Sequence, residues 1–356
     1  MPIEVFTRVK DGSIPIFSKI KDSCIVSFSE NKKKYDFTVN DVWDNNVTSK
    51  DIFFNFNEKT KIYNDNYVIT FGYTGTGKTY TTFGVLEEFL NFHRLQKHNM
   101  FISAYQIYNE KIYDLLQRNK QLQVWKTDSL KIQGLISKKI LDTKRLLEII
   151  KKNRCLAKTS ENDRSSRSHA IITICINNKN YTFIDMAGQE NGKTILNHKT
   201  LIRKQAMGIN LNMLALKNCI DAYYQKNHIP FRRCLLTLAL KDIFYKKCYV
   251  SFVCTVSCEH PKLRQIDSIR YASTLFKKKE NNSDSEYFKF FKEYTDYIAS
   301  QKIINAEEHL LWHQMKKGNY KNCKKMRNYF SEKIIIIKKM NDIVEKYTDK
   351  LPNINT

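Results

Sequence analysis

"VITFGYTGTGKTYTTFG", residues 68–84, sets an apolar, β-branched run directly before a crowd of glycines, a lysine and a threonine. The chain has only 10 glycines in 356 residues, yet Gly72, Gly75, Gly77 and Gly84 all fall within this one stretch. Glycine lets the backbone adopt positive φ and approach a ligand closely, and it weakens regular structure where neither is needed. The segment Gly72–Thr79, "GYTGTGKT", is G-x-x-x-x-G-K-[ST] placed after a strand pattern. In that pattern the N–H groups of the loop and of the following helix cradle phosphate oxygens, Lys78 reaches the β and γ phosphates, and the Thr79 hydroxyl ligates magnesium. The expected nucleotide contacts are therefore Gly72, Tyr73, Thr74, Gly75, Thr76, Gly77, Lys78, Thr79 and Tyr80.

Outward from this loop, short apolar runs such as "CIVSF", "MFISAYQIY", "AIITICI", "YTFIDMAG" and "CYVSFVCTV" alternate with amphipathic stretches near 84–96, 143–155 and 210–225. Strands interleaved with helices argue for an α/β fold, here a P-loop NTPase of three α/β/α layers. "IITICINNKNYTFID" reads as two strands joined by a polar turn at Asn177–Asn180, so the central sheet is expected to be mixed, though mostly parallel. After "SIRYASTLFKKKENNSDS" the composition shifts: residues 281–356 hold one glycine and one proline. There Phe290, Tyr294, Tyr297, Ile304, Leu311 and Met315, then Met326, Phe330, Ile337, Met340, Val344, Tyr347 and Leu351, follow a three-four spacing. A C-terminal helical region is expected, either a short coiled coil that makes a homodimer or a helical hairpin.

The formal net charge of +24 points to an acidic partner, whether nucleic acid, an anionic membrane or an acidic protein polymer. No apolar run reaches the length of a membrane helix, and "MPIEVFTRVKD" has no basic segment followed by an apolar core, so a cytoplasmic protein is expected. Nine cysteines scattered singly fit reduced thiols better than a disulfide framework. Cys254, Cys258 and His260 form the one local cluster, and it lacks the fourth ligand of a zinc site.

Two later stretches extend the phosphate chemistry. "IDMAGQE" follows a strand, so Asp185 can hold the magnesium shell and Gly188 can offer an N–H to the γ phosphate. "NDRSSRSHA", Asn162–Ala170, places hydroxyls and an arginine before that strand pair, where Ser165 and Ser166 either meet the γ phosphate or belong to a solvated loop.

The order phosphate loop, N-x-x-S-S-R-S-H, D-x-A-G-x-E resembles the kinesin motor domain. "AYQIYNEKIYDLL" (104–116) is similar to that family's "EIYNEKIYDLL", residues 209–244 to its "INKSLLALGNCI" and "HIPYRDSKLTRLLQDS" run, and "DSIRYAS" (267–273) to its "TLRYA". The resemblance covers residues 1–276 and implies a motor domain there, a neck-linker-like segment at 277–285 and the helical region at 286–356. It implies ATP and Mg2+ as cofactors, with Thr79, Ser166 and Asp185 at the metal. Ser165 and Ser166 would form the first switch, and Asp185, Gly188 and Glu190 the second. Arg167 would pair with Glu190 to close the site around an attacking water that Asn210 helps to position.

Phe71 stands where the family usually has a tyrosine on the adenine face, and Arg8 matches the first arginine of its R-x-R-P motif, whose second half is replaced by Lys10 and Asp11. The implied partner is the microtubule, gripped through Arg203, Lys204, Arg232 and Arg233, with Leu235 in place of the lysine of "SKLT". Neither nucleic acid nor membrane is an implied partner, and the implied location is the microtubule cytoskeleton, notably the spindle. Three readings stand: a microtubule-stimulated ATPase that moves along or remodels microtubules, a degenerate kinesin that binds them with little hydrolysis, and an unrelated P-loop enzyme.

Overall fold

A computed structural model describes residues 3–276 except 11–15, 21–22, 31–32, 45, 62, 127–129, 156–166, 190–199 and 258–261, together with Lys338. The chain divides into two compact units, Met1–Lys277 and Lys278–Thr356. The C-terminal seams and the linker at 277–285 lie outside the described residues, as do Cys258 and His260.

In chain order the first unit opens with β1 (Ile3–Val9), β2 (Ile16–Ile20), β3 (Ser23–Glu30), β4 (Lys33–Val39) and β5 (Asp41–Trp43). Helix α1 (Ser49–Thr60) follows, started by a capping box in which the Thr48 hydroxyl accepts from the Asp51 N–H and Asp51 answers on Thr48. Then come β6 (Asp65–Gly72), α2 (Lys78–Leu95), β7 (Met100–Tyr108), β8 (Lys111–Asp114), β9 (Lys120–Lys126), β10 (Leu130–Gln133), β11 (Lys138–Lys139) and α3 (Thr143–Cys155). The last third holds β12 (His169–Ile176), β13 (Lys179–Asp185), α4 (Thr200–Tyr224), α5 (Leu235–Ala239), α6 (Asp242–Tyr245), β14 (Cys248–Val256) and α7 (Lys262–Leu275).

Strand β6 is buried along its whole length apart from Asp65, the pattern of a strand covered on both faces. It sits inside a sheet of order β10-β9-β8-β7-β12-β13-β6-β14-β1-β5, with β11 on β7, while β2-β3-β4 form a separate small sheet. Side chains alternate between the two faces. Val68, Phe183, Tyr249 and Val253 join α1, α2 and α3 in one apolar cluster. Tyr67, Ile69, Phe71 and Phe252 join α4 to α7 in the other. This is the three-layer α/β/α arrangement read from the sequence.

The sheet is mixed, but "mostly parallel" needs correction. Parallel pairing is confined to the five strands β13, β6, β14, β1 and β5. From β10 to β13 every pairing is antiparallel; a short connection, which can only reverse the chain, joins each of these neighbours except β7 and β12, which lie far apart in sequence. The expected polar turn shrinks to Asn177 and Asn178, both at positive φ (49° and 61°), the primed turn that matches strand twist. Among the described residues no helix is long and apolar enough to cross a membrane.

Helix α2 ends on a left-handed Lys97 (φ 57°), and the His98 N–H reaches back to the His93 carbonyl at 3.1 Å. The His98 ring follows, Nδ1 to His93 Nδ1 at 2.9 Å. Burial, with His98 beside it, pushes the His93 imidazole down to about 4. Burial and then the Arg154 charge do the same to His169. Both rings stay neutral in the fold, while the unfolded chain takes up these protons near 6.5, so their contribution is complete above 6.5 and is lost as the pH falls toward 4. The melting temperature is therefore expected to drop on going from about pH 7 to about pH 5, before most carboxylates titrate. His93→Phe, which suits the ring packing with Phe89 and Tyr181, should flatten that slope. An unaltered slope in the variant contradicts the assignment.

Candidate functional site

The chain leaves β6 at Gly72 and enters α2 at Lys78. Gly72, Gly75 and Gly77 all take positive φ (144°, 86° and 93°), where a side chain is strained. A Cβ on Gly72 would lie 2.3 Å from the Thr255 carbonyl oxygen, so strand β14 also forbids one there. Gly84 has a different reason: a Cβ would lie 2.3 Å from the Ser49 Oγ, so this glycine lets α1 approach α2. The Thr76 hydroxyl fixes the loop through Thr255 Oγ1 at 2.7 Å and the Tyr73 carbonyl at 2.8 Å. Lys78 is buried and its Nζ donates to the Tyr73 carbonyl at 2.7 Å, folded across the loop it would serve.

Strand β13 lies beside β6 with Asp185 in register with Thr70, which brings the D-M-A-G segment to the same rim as the phosphate loop. The Thr79 hydroxyl donates to Asp185 Oδ2 at 2.5 Å. The Gln189 N–H donates to the Gly72 carbonyl at 3.1 Å, and a Cβ on Gly188 would fall 2.2 Å from Thr74 Oγ1 and 3.1 Å from the Thr74 backbone. The two motifs therefore touch, and Gly188 is required for the contact.

Arg154, at the end of α3, was not singled out by the sequence reading. It is 2% exposed and forms an ion pair with Asp185, which is 0% exposed, while a second guanidinium nitrogen donates to the Ser168 carbonyl at 3.2 Å. His169 was also missed; its Nδ1 accepts from the Ala187 N–H at 3.2 Å, tying the end of "SSRSH" to the start of "AG". His169 closes the N-x-x-S-S-R-S-H pattern, which could have flagged it, whereas Arg154 lies outside every motif and no spacing marks it.

Among the described residues, the buried polar atoms at this rim without a hydrogen-bond partner include Arg167 Nε, Ser168 Oγ, His169 Nε2 and Asp185 Oδ1. Buried orphans carry a desolvation cost, and a cluster of them marks a place where a polar ligand or ordered water belongs. A carboxylate oxygen and a threonine hydroxyl are hard oxygen donors, which suit magnesium. The residues present thus fit an ATP-magnesium site. Ser165, Ser166 and Glu190 lie outside the described residues. Asn210 is half-buried on α4.

The base side corrects one expectation. Phe71 is fully buried, edge-on to Phe252 and Tyr271 on the α4–α7 face, so its ring offers no stacking surface to a nucleotide. The reason is strand parity, which turns the residue before Gly72 into the core. The exposed ring near this end of the loop is Tyr80, 71% exposed, with the Arg8 guanidinium 5.3 Å from its centre. Arg8 itself is buried and donates to Thr81 Oγ1 at 2.9 Å, and burial lowers its affinity for the proton.

Of the basic residues, Arg232 and Arg233 are exposed on a 3-10 turn, Phe231–Arg233, and Leu235 is fully buried. Arg203 and Lys204 lie in the helical backbone of α4, and their side chains are outside the described residues.

A family model described as the kinesin motor domain matches residues 13–277. The chain is 30% identical over 248 residues to kinesin-like protein KIN-13B of Arabidopsis thaliana, taking in 61% of this chain and 36% of that protein. It is 30% identical over 268 residues to diatom spindle kinesin-1 of Cylindrotheca fusiformis, 68% of this chain and 41% of that one. The chain thus spans well under half the length of these curated relatives. Among solved structures, the motor domain of the Kar3-like kinesin from Ashbya gossypii superposes with a TM-score of 0.60 at 22% identity, covering 77% of this chain and 99% of that one.

Proposed function

The chain belongs to the kinesin motor domain family, and from that premise we propose that it hydrolyses ATP with magnesium in a cycle stimulated by microtubules. The cycle drives movement along microtubules or their remodelling, in the cytoplasm and at the spindle. The observation that carries this reading is the direct contact of the Asp185–Gly188 segment with the phosphate loop, through Thr79, Thr74 and Gly72. A change at the terminal phosphate is felt there first, and the same segment leads on toward α4, which bears Arg203 and Lys204.

In this reading the loop N–H groups and Lys78 bind the phosphates, Lys78 exchanging its carbonyl partner for a phosphate oxygen. Thr79, Ser166 and Asp185 hold magnesium, which when bound neutralises charge on the β and γ phosphates. Gly188 donates its N–H to the γ phosphate. Arg167 and Glu190 close over the site, and Asn210 orients the attacking water. Residues 1–276 form the motor, 277–285 the linker, and 286–356 supply a partner helix or a dimer contact.

ATP turnover measured with and without polymerised tubulin tests the reading. Strong stimulation is the expected result. Co-sedimentation with tubulin and no stimulation would establish the degenerate kinesin, and indifference to tubulin would remove the motor reading altogether.

A further inference from the structure

The turn between β7 and β8 is built from Asn109 (φ 49°) and Glu110 (φ 55°). Both central residues of a two-residue primed turn need positive φ, which asparagine tolerates and for which glycine is the usual second residue. A glutamate there is held against its own preference. Its side chain shows what the strained position achieves. The Glu110 carboxylate accepts from the Leu235 N–H at 3.0 Å, 125 residues away, at the first turn of α5.

The rest of that helix start is knitted to the arginine-bearing turn. The Thr237 hydroxyl donates to the Phe231 carbonyl at 2.8 Å and the Cys234 carbonyl at 3.1 Å, and the Cys234 N–H donates to Thr237 Oγ1 at 3.4 Å. The Arg233 N–H in turn reaches the Pro230 carbonyl at 3.3 Å. Phe231 to Thr237 is thus one hydrogen-bonded unit, and Glu110 joins its Leu235 to the hairpin at the wing of the large sheet. Arg232 and Arg233 project from this unit into solvent.

We propose that Glu110 is a positioning residue for the Arg232–Arg233 pair, holding the turn that carries it so that both guanidinium groups meet an acidic filament surface in fixed register. Rigid presentation matters because guanidinium–carboxylate pairs gain most from two aligned donors, and a loose turn loses that geometry while keeping its charge. The inference rests on the microtubule reading for the identity of the partner, but not for the existence of the cap.

Glu110→Gly and Glu110→Gln separate the roles. Glycine suits the turn and removes the acceptor, whereas glutamine keeps a neutral acceptor in the same place. Glu110→Gly is expected to weaken tubulin co-sedimentation about tenfold, with nucleotide affinity held and the Leu235 amide exchanging faster, and Glu110→Gln to recover most of both losses. A Glu110→Gly protein that binds tubulin as tightly as the natural chain overturns the proposal. So does one that loses tubulin binding, nucleotide affinity and melting temperature together, since that marks a general structural role. If the natural chain ignores tubulin, the filament reading falls by itself. Amide exchange then decides the cap, and unchanged protection at Leu235 in Glu110→Gly overturns it.

Discussion

Arg167→Ala is expected to hold nucleotide with affinity within a few-fold of the natural chain and to lose ATP turnover by about 10²- to 10³-fold. The residue opens the described part of "RSHA", directly before Ser168, whose carbonyl is tied to Arg154, and His169, whose ring is tied to Ala187. Its backbone is therefore anchored beside the Asp185–Gly188 segment, and its Nε is buried among described residues that offer it no acceptor. In the proposed cycle this guanidinium acts where charge develops during phosphoryl transfer rather than where the substrate is first held, which is why turnover and binding should separate. Arg167→Lys should recover little, because a point charge cannot reproduce a planar fork. Single-turnover hydrolysis beside a nucleotide titration checks the split. A loss below tenfold, or an equal loss in binding, defeats the role.

The second large effect concerns stability. Arg154→Met removes one member of an ion pair whose partners are both almost wholly buried, leaving the Asp185 carboxylate charged, dry and without its cation. Such a change costs about 3–5 kcal/mol, several times the value of a surface pair. Adding Asp185→Leu removes the stranded charge, so the double variant is expected to melt above the Arg154→Met single variant although it carries one more substitution. Denaturant unfolding of the three chains measures the difference. If Arg154→Met unfolds at nearly the same midpoint as the natural protein, the pair contributes little.

The contrast between these two arginines explains what could be read in the sequence. Arg167 could be singled out as a candidate because it belongs to a local pattern, and the phosphate loop was legible because positive φ at Gly75 and Gly77 restricts the residue type. Arg154 was not, since its partner lies 31 residues away and is set by how α3 settles against the sheet. Phe71 was misjudged because a motif alignment carries no strand parity, and one residue decides whether a side chain faces a ligand or the core. Gly84 looked like part of the loop and proved to serve helix packing. Strand β7 was visible as the apolar run "MFISAYQIY", but nothing in the sequence reading stated that β8, β9 and β10 follow it as an antiparallel wing of the main sheet. Glu110 lay inside a recognised stretch, yet its carboxylate acts across the fold.

The Asn177–Asn178 turn separates two strands whose other ends, His169 and Asp185, both reach the phosphate rim, and seven residues of β13 put roughly 23 Å between that rim and the turn. A dye or a short peptide grafted at this distal bend would ride on a fully paired ribbon inside the main sheet, remote from the chemistry. Its orientation would report how the whole domain tilts during a turnover cycle without perturbing the step being watched.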